Sequence, residues 1–147
     1  MRRPIYLKVS KSINQPLSKV WETVALGFGN VADYNPEIKH SKFDSEQKEG
    51  VGTRRHCDFQ KSGFIKEEIT EWTDKKSFKL KFTETSVPMA FLESQFSFKE
   101  EGKTTIVTQE FWYRMKAPLG WLSGSMKGKM KSTLENGLNG LEAYLNR

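Results

Sequence analysis

Only one long run of this chain, its last segment, repeats its apolar residues at helical spacing. Across Trp121 to Leu145, the residues Met126, Met130, Leu134, Leu138, Leu141 and Leu145 advance in steps of three or four, while Lys127, Lys129, Lys131, Glu135 and Glu142 fall largely on the opposite side. Between Ile38 and Met115 apolar and polar residues instead alternate in short runs broken by glycine-containing turns, the pattern of strands with one buried face. A half-buried sheet needs a cover, and one amphipathic helix supplies it. The predicted class is therefore α+β, an antiparallel sheet covered by a long carboxy-terminal helix.

The inward side of that helix carries Thr133, Gly137 and Gly140 beside its large residues. Each interior glycine costs roughly 1 kcal/mol of helix stability relative to alanine. Two arrangements would offset that cost: close backbone contact with a strand, or a hollow left in the interior.

At 147 residues the chain is expected to form one domain, 1–147, large enough to fold without disulfide or metal. Cys57 stands alone and His40 and His56 are the only histidines, so no metal site and no cofactor is expected, and a reducing, cytoplasmic setting is. The start, Met1-Arg2-Arg3-Pro4, is basic but leads into alternating residues, with no signal peptide or membrane span in view. The net charge of +6 is spread over lysines interleaved with glutamates, which reads as a solvated surface with no nucleic-acid partner. Lys127, Lys129 and Lys131 form the one basic cluster, and the expected state is a monomer or weak homodimer.

Taken in order, Ile5 to Ile13 alternates as a strand, and Pro16 then opens a short helix to about Ala25 that ends at Gly27 and Gly29. A second short helical piece, Asn30 to Tyr34, stops before Asn35-Pro36. Extended runs follow at Ile38 to Gln47 and Thr53 to Phe59. The Gly50-Val51-Gly52 between them reads as a turn, because no helix follows it to receive a phosphate. A three-residue loop at Lys61-Ser62-Gly63 would set Cys57 opposite Glu67 and turn Ile65, Glu67 and Ile69 inward; a two-residue turn would instead send Phe64, Glu68, Thr70 and Trp72 inward, and in the first register Trp72 points in only through a bulge. Phe78, Leu80 and Phe82 mark the next strand. The turn at Glu101-Gly102 pairs Phe96 with Val107 and Ser94 with Gln109, so that Val107, Gln109, Phe111, Tyr113 and Met115 face the interior. The count is seven strands, with two short helices after the first. A sheet of that size curved around one helix encloses more room than side chains readily fill, so an interior pocket is expected.

The polar outliers on the inner face are Arg55, Glu67, Gln109 and Tyr113, with Asn35, Thr133 and Asn136 at its edges. A buried carboxylate needs a partner, so Glu67 either meets Arg55, water or a ligand inside, or lies with Arg55 at a solvated rim. A Ser/His/Asp triad is not supported, since His56 faces outward and His40 sits on an edge-like strand. Glu67 and Tyr113 are the candidate catalytic pair, a carboxylate base and a phenol acid acting on an enolisable ligand.

The order of elements, together with Lys19-Val20-Trp21, Tyr34-Asn35-Pro36, Gly50-Val51-Gly52-Thr53-Arg54-Arg55, Glu67-Glu68-Ile69-Thr70-Glu71-Trp72 and the final Leu134 to Leu145, resembles the START-like (SRPBCC, Bet v 1-like) superfamily, in its polyketide cyclase/dehydrase and lipid-transport branch. Plant pathogenesis-related class 10 proteins and abscisic-acid receptors share that superfamily. The resemblance implies a helix-grip fold with a hydrophobic cavity between sheet and long helix, and it implies binding or transport of a lipid-like, aromatic or polyketide-like molecule. It sets Glu67 and Gln109 at positions where the receptors carry ligand-contacting acids, with Gln109 replacing the second acid. The candidate ligand-binding set is Arg55, Cys57, Phe59, Ile65, Glu67 and Ile69 from the middle strands, Phe82, Phe96, Gln109, Phe111 and Tyr113 from the later ones, and Met130, Thr133 and Gly137 from the helix. Two alternatives stay open: a cyclase or dehydratase using Glu67 and Tyr113, and a partner protein of ribosomes or quinone machinery, as some bacterial relatives are, acting through Lys127, Lys129 and Lys131.

Overall fold

The computed structural model describes residues 3–147; Met1 and Arg2 of the basic start lie outside them. Strand β1 (Ile5–Ile13) is followed by helix α1 (Leu17–Trp21), which runs on through a π-turn over Glu22–Leu26, and by a 3-10 turn over Phe28–Asp33. Six strands come next: β2 (Ile38–Phe43), β3 (Arg54–Phe59), β4 (Phe64–Thr73), β5 (Ser77–Thr85), β6 (Met89–Glu101) and β7 (Thr104–Met115). Helix α2 (Lys127–Leu145) closes the chain. The seven strands form one antiparallel sheet in the order β1-β7-β6-β5-β4-β3-β2, curled into a half-barrel.

Alternation decides the inward faces. Arg55 and Cys57 of β3, Ile65, Glu67 and Ile69 of β4, Phe78 and Leu80 of β5, and Val107, Phe111, Tyr113 and Met115 of β7 are all buried. Pairing nevertheless differs from expectation by two residues in both hairpins. Cys57 faces Ile65 and Arg55 faces Glu67, and on the other hairpin Phe96 faces Gln109 and Phe98 faces Val107. A slip of two leaves every side chain on its own face, whereas a slip of one would have inverted the sheet. Gly63 (φ +95°) closes the first loop with the Phe59 N–H donating to its carbonyl, and Gly102 (φ +61°) turns the second. Trp72 points inward through an irregularity in β4 between Ile69 and Glu71.

Trp21 of α1 plugs one end of the space beneath the helix. It is 2% exposed and meets Trp72, Phe98 and Phe78 edge-on at centroid distances of 5.0, 5.2 and 6.2 Å. Each such aromatic pair adds about 0.5–1.5 kcal/mol to the burial itself. These residues cluster at the end of the sheet where β4 turns into β5.

Two boundaries and one contact differ from expectation. The last helix begins at Lys127 and not at Trp121, because the preceding stretch is fastened to the end of β7: Tyr113 donates its hydroxyl to the Ser123 carbonyl at 2.6 Å, and the Met115 N–H donates to Ser123 Oγ at 3.1 Å. Strand β2 ends at Phe43, since Ser45 and Gln47 spend their side chains on the loop itself. The interior glycines of α2 meet neither a strand nor only a void. A Cβ on Gly140 would press on the Tyr34 carbonyl and come to 2.7 Å from Pro36 Cδ, and one on Gly137 would lie 2.9 Å from Asn35 Nδ2, so the helix rests on the Tyr34-Asn35-Pro36 bend.

Two glycines of one helix are thus predicted to respond with opposite sign. Gly140→Ala is expected to destabilise the protein by about 1–3 kcal/mol through overpacking, while Gly128→Ala, where a Cβ meets nothing within 4 Å, gains up to about 1 kcal/mol. Trp21→Ala is expected to cost about 3–5 kcal/mol. Urea unfolding midpoints of the three variants check all of this.

Candidate functional site

Helix α2 meets the sheet along β1, where Lys11 pairs with Glu142 at 3.3 Å and donates to Asn139 Oδ1 at 3.0 Å, and stands off from the strands beyond it. Between them lies a pocket of about 420 Å³, within the range of about 300–1,000 Å³ of small-molecule sites. Phe78 and Phe96 form its inner end. Its lining continues toward the β3–β4 and β5–β6 loops, where exposed Gln60, Lys61 and Ser62 and, from α2, exposed Lys129 take part, so the pocket reaches the surface there.

The polar centre of the lining is an ion pair on adjacent strands. Arg55 Nε–H donates to Glu67 Oε1 at 2.9 Å, and Arg55 Nη1 donates to the Phe28 carbonyl at 3.0 Å while the guanidinium lies 4.0 Å from the centroid of the Phe28 ring. Both side chains are only 10% exposed, which corrects the solvated-rim alternative. Their direct opposition across β3 and β4 is what the two-residue shift in pairing produces. Burial alone would pull the Arg55 guanidinium down, but the charge of Glu67 and the other groups around it hold it above its ordinary value.

The pair is not saturated. Glu67 Oε2 and Arg55 Nη2 have no protein hydrogen bond among the described residues, and neither has Gln109 Oε1, whose amide nitrogen donates to Ser94 Oγ at 3.0 Å. No fully enclosed side-chain nitrogen or oxygen among the described residues lacks a partner, so these open valences face accessible space, and all three residues line the pocket. An apolar chamber thus presents two acceptors and a donor from its wall.

Of the predicted set, Arg55, Cys57, Phe59, Ile65, Glu67, Phe96, Gln109, Phe111, Met130, Thr133 and Gly137 line this pocket, and Ile69, Phe82 and Tyr113 do not. Ile69 is fully buried, its N–H tied to the Thr53 carbonyl at 2.9 Å. Irregular pairing of β4 with β5 at Lys66 and Glu67 makes Thr85, and not Phe82, the β5 residue at the pocket's outer part. Tyr113 is fully buried with its hydroxyl spent on Ser123, and burial raises its pKa. The expected Glu67 and Tyr113 acid–base pair is therefore not assembled.

The phenol that shares the pocket with Glu67 is Tyr34, which the residue-by-residue reading did not single out. Burial pushes its pKa up to about 12, against a downward pull from Arg55. Its position just before Asn35-Pro36, where the short helices end, was the available signal. Val24, Val31, Ile38, Leu134, Leu138 and Leu141 belong to the apolar wall, together with Val87, Met89 and Leu92. Of the remaining edge residues, Asn35 lines the pocket, while Asn136 reaches outward to donate to Glu37 Oε1 at 3.1 Å. Among the described residues no group of His, Cys, Asp and Glu is placed to hold a metal ion.

Cys57 and Tyr34 give the site a pH signature. Burial pushes the Cys57 thiol up from 9.0 to about 12. Because both groups are held neutral in the fold above the pH at which they ionise in the unfolded chain, the unfolded state binds fewer protons from about pH 9 upward. Stability is predicted to be intact below pH 9 and to fall toward pH 12, with the fall reduced in Cys57→Ala. Urea midpoints of both proteins across that interval measure it.

The fold resembles a protein from Thermus thermophilus (TM-score 0.78, 22% identity, 95% of this chain and 96% of that one). It also resembles a START superfamily protein from Mycobacterium smegmatis (0.78, 16%, 95% and 98%) and the ginseng major latex-like protein 151 from Panax ginseng (0.76, 16%, 97% and 98%). At such identities these likenesses speak for the fold alone. A search of curated proteins gave no match. Residues 5–146 match the family model described as polyketide cyclase / dehydrase and lipid transport, and the chain belongs to that family.

Proposed function

We propose that the protein binds or carries a hydrophobic small molecule in the pocket between the sheet and α2. The observation that carries this reading is an apolar chamber of about 420 Å³ whose buried Arg55–Glu67 pair and Gln109 leave hydrogen-bonding capacity unused toward its interior. Leaving such capacity unfilled in an apolar site is costly, so water or a ligand's polar group completes it. Glu67 Oε2 suits a hydroxyl donor and Arg55 Nη2 a carbonyl. A lipid-like, aromatic or polyketide-like body with neutral oxygen functions matches both features, and family membership supports ligand binding in general.

Carriage is favoured over turnover, because Tyr34 is held neutral and Tyr113 is spent elsewhere, which leaves Glu67 without a phenol poised to release a proton near neutral pH. A cytoplasmic setting is part of the proposal, supported by the buried, unbridged Cys57; no described helix is long and apolar enough to cross a membrane.

Native mass spectrometry of protein purified from its own host is expected to show a bound small molecule. Thr133→Trp, which places bulk in the pocket from α2, should weaken an apolar fluorescent probe by about tenfold, or roughly 1.4 kcal/mol, with the unfolding midpoint little changed. Removing Glu67 outright strands a buried guanidinium and is expected to cost about 3–5 kcal/mol of stability, so Glu67→Gln is the informative change: it should alter selectivity between hydroxyl- and carbonyl-bearing ligands. Equal binding of both classes by parent and Glu67→Gln would remove the role given to that carboxylate.

A further inference from the structure

The charges lining the pocket are unevenly placed along its depth. At the inner part Arg55 and Glu67 answer one another. At the outer part stand two exposed lysines, Lys61 on the β3–β4 loop and Lys129 on α2, neither in an ion pair among the described residues, and one carboxylate, Glu37, whose Oε1 already accepts from Asn136. The lining therefore holds three cations, Arg55, Lys61 and Lys129, against two carboxylates, Glu37 and Glu67, and the unanswered positive charge sits at the mouth.

This decides which end of a charged ligand goes in. An anionic head pushed to the middle of the pocket would lose its water beside the Glu67 carboxylate, where like charges in a poorly solvated site repel strongly, and the only cation there is already paired. At the mouth the same head keeps part of its hydration and meets two lysines with long, adjustable stems.

We propose that the pocket takes an anionic amphiphile with its head outward, the chain and any neutral oxygen inside beside Arg55 and Glu67, and the anionic head at the opening between Lys61 and Lys129. This rests on the small-molecule reading above and adds the ligand's charge and its direction. Lys129 then belongs to the ligand site and not, as the sequence alternative had it, to a patch for a macromolecular partner.

Decanoate and decan-1-ol share a chain and differ in the head, so their affinities, measured by calorimetry on the full-length protein, separate the two claims. At low ionic strength the parent is expected to prefer decanoate by about three- to tenfold, the margin two partly solvated lysines supply, and to lose most of that margin at about 1 M salt. In Lys61→Gln/Lys129→Gln the preference is expected to vanish. If both probes bind the parent equally, or the preference survives in the double variant, the outward head is wrong while the pocket's binding role stands. A Glu67→Gln variant that binds decanoate itself more tightly than the parent does would likewise overturn it, since only an inward head would feel that carboxylate. If neither probe binds, the small-molecule reading falls and takes this inference with it.

Discussion

The contact between α2 and the concave side of the sheet is partial, and the remaining features follow from where it stops. Leu134, Leu138, Leu141 and Leu145 are buried beneath the helix, yet Leu134, Leu138 and Leu141 also face the pocket. Trp21 and its aromatic neighbours occupy the end where β4 turns into β5. With that end stoppered by aromatic rings, unfilled volume collects at the other, where the β3–β4 and β5–β6 loops replace packed strands.

Within that volume the Arg55–Glu67 pair sets the chemistry. Two isolated charges would be prohibitive at such depth, and a fully satisfied pair would be inert toward a guest. This pair is intermediate: charge is cancelled while directional capacity is left over. Phe28 contributes twice, through its carbonyl and its ring, so a short 3-10 turn after β1 fixes the guanidinium of a residue on β3. Stacking on Phe28 and the single bond to Glu67 hold the fork in one orientation, the kind of preorganisation that lets a buried polar group select among ligands instead of adjusting to all of them.

Much of the fold was legible because side-chain direction in a strand depends only on parity. The inward sets on β3, β4, β5 and β7 follow from alternation, and they stayed correct although both hairpin registers were two residues off. Exact pairing depends on the loop conformations at Gly63 and Gly102, which composition leaves open. That is why the head-on meeting of Arg55 with Glu67 could be named only as one option. Bulges were legible only in part: the one that turns Trp72 inward was anticipated, whereas the one at Lys66 and Glu67, which brings Thr85 to the position expected for Phe82, was not. Tyr113 was misplaced for a different reason. Its inward direction was right, but its hydroxyl partner, the Ser123 carbonyl, lies in a segment whose periodicity continued that of the helix.

The bend at Tyr34-Asn35-Pro36 has two faces, one supplying Tyr34 and Asn35 to the chamber wall and the other seated in the notch left by Gly137 and Gly140. Rod and bend are thereby keyed together, and neither slides without displacing the other, because close-packed backbone yields little. On this flank the chamber wall is backbone held against backbone, so its dimensions there are set by the fold and not by the choice of side-chain rotamers.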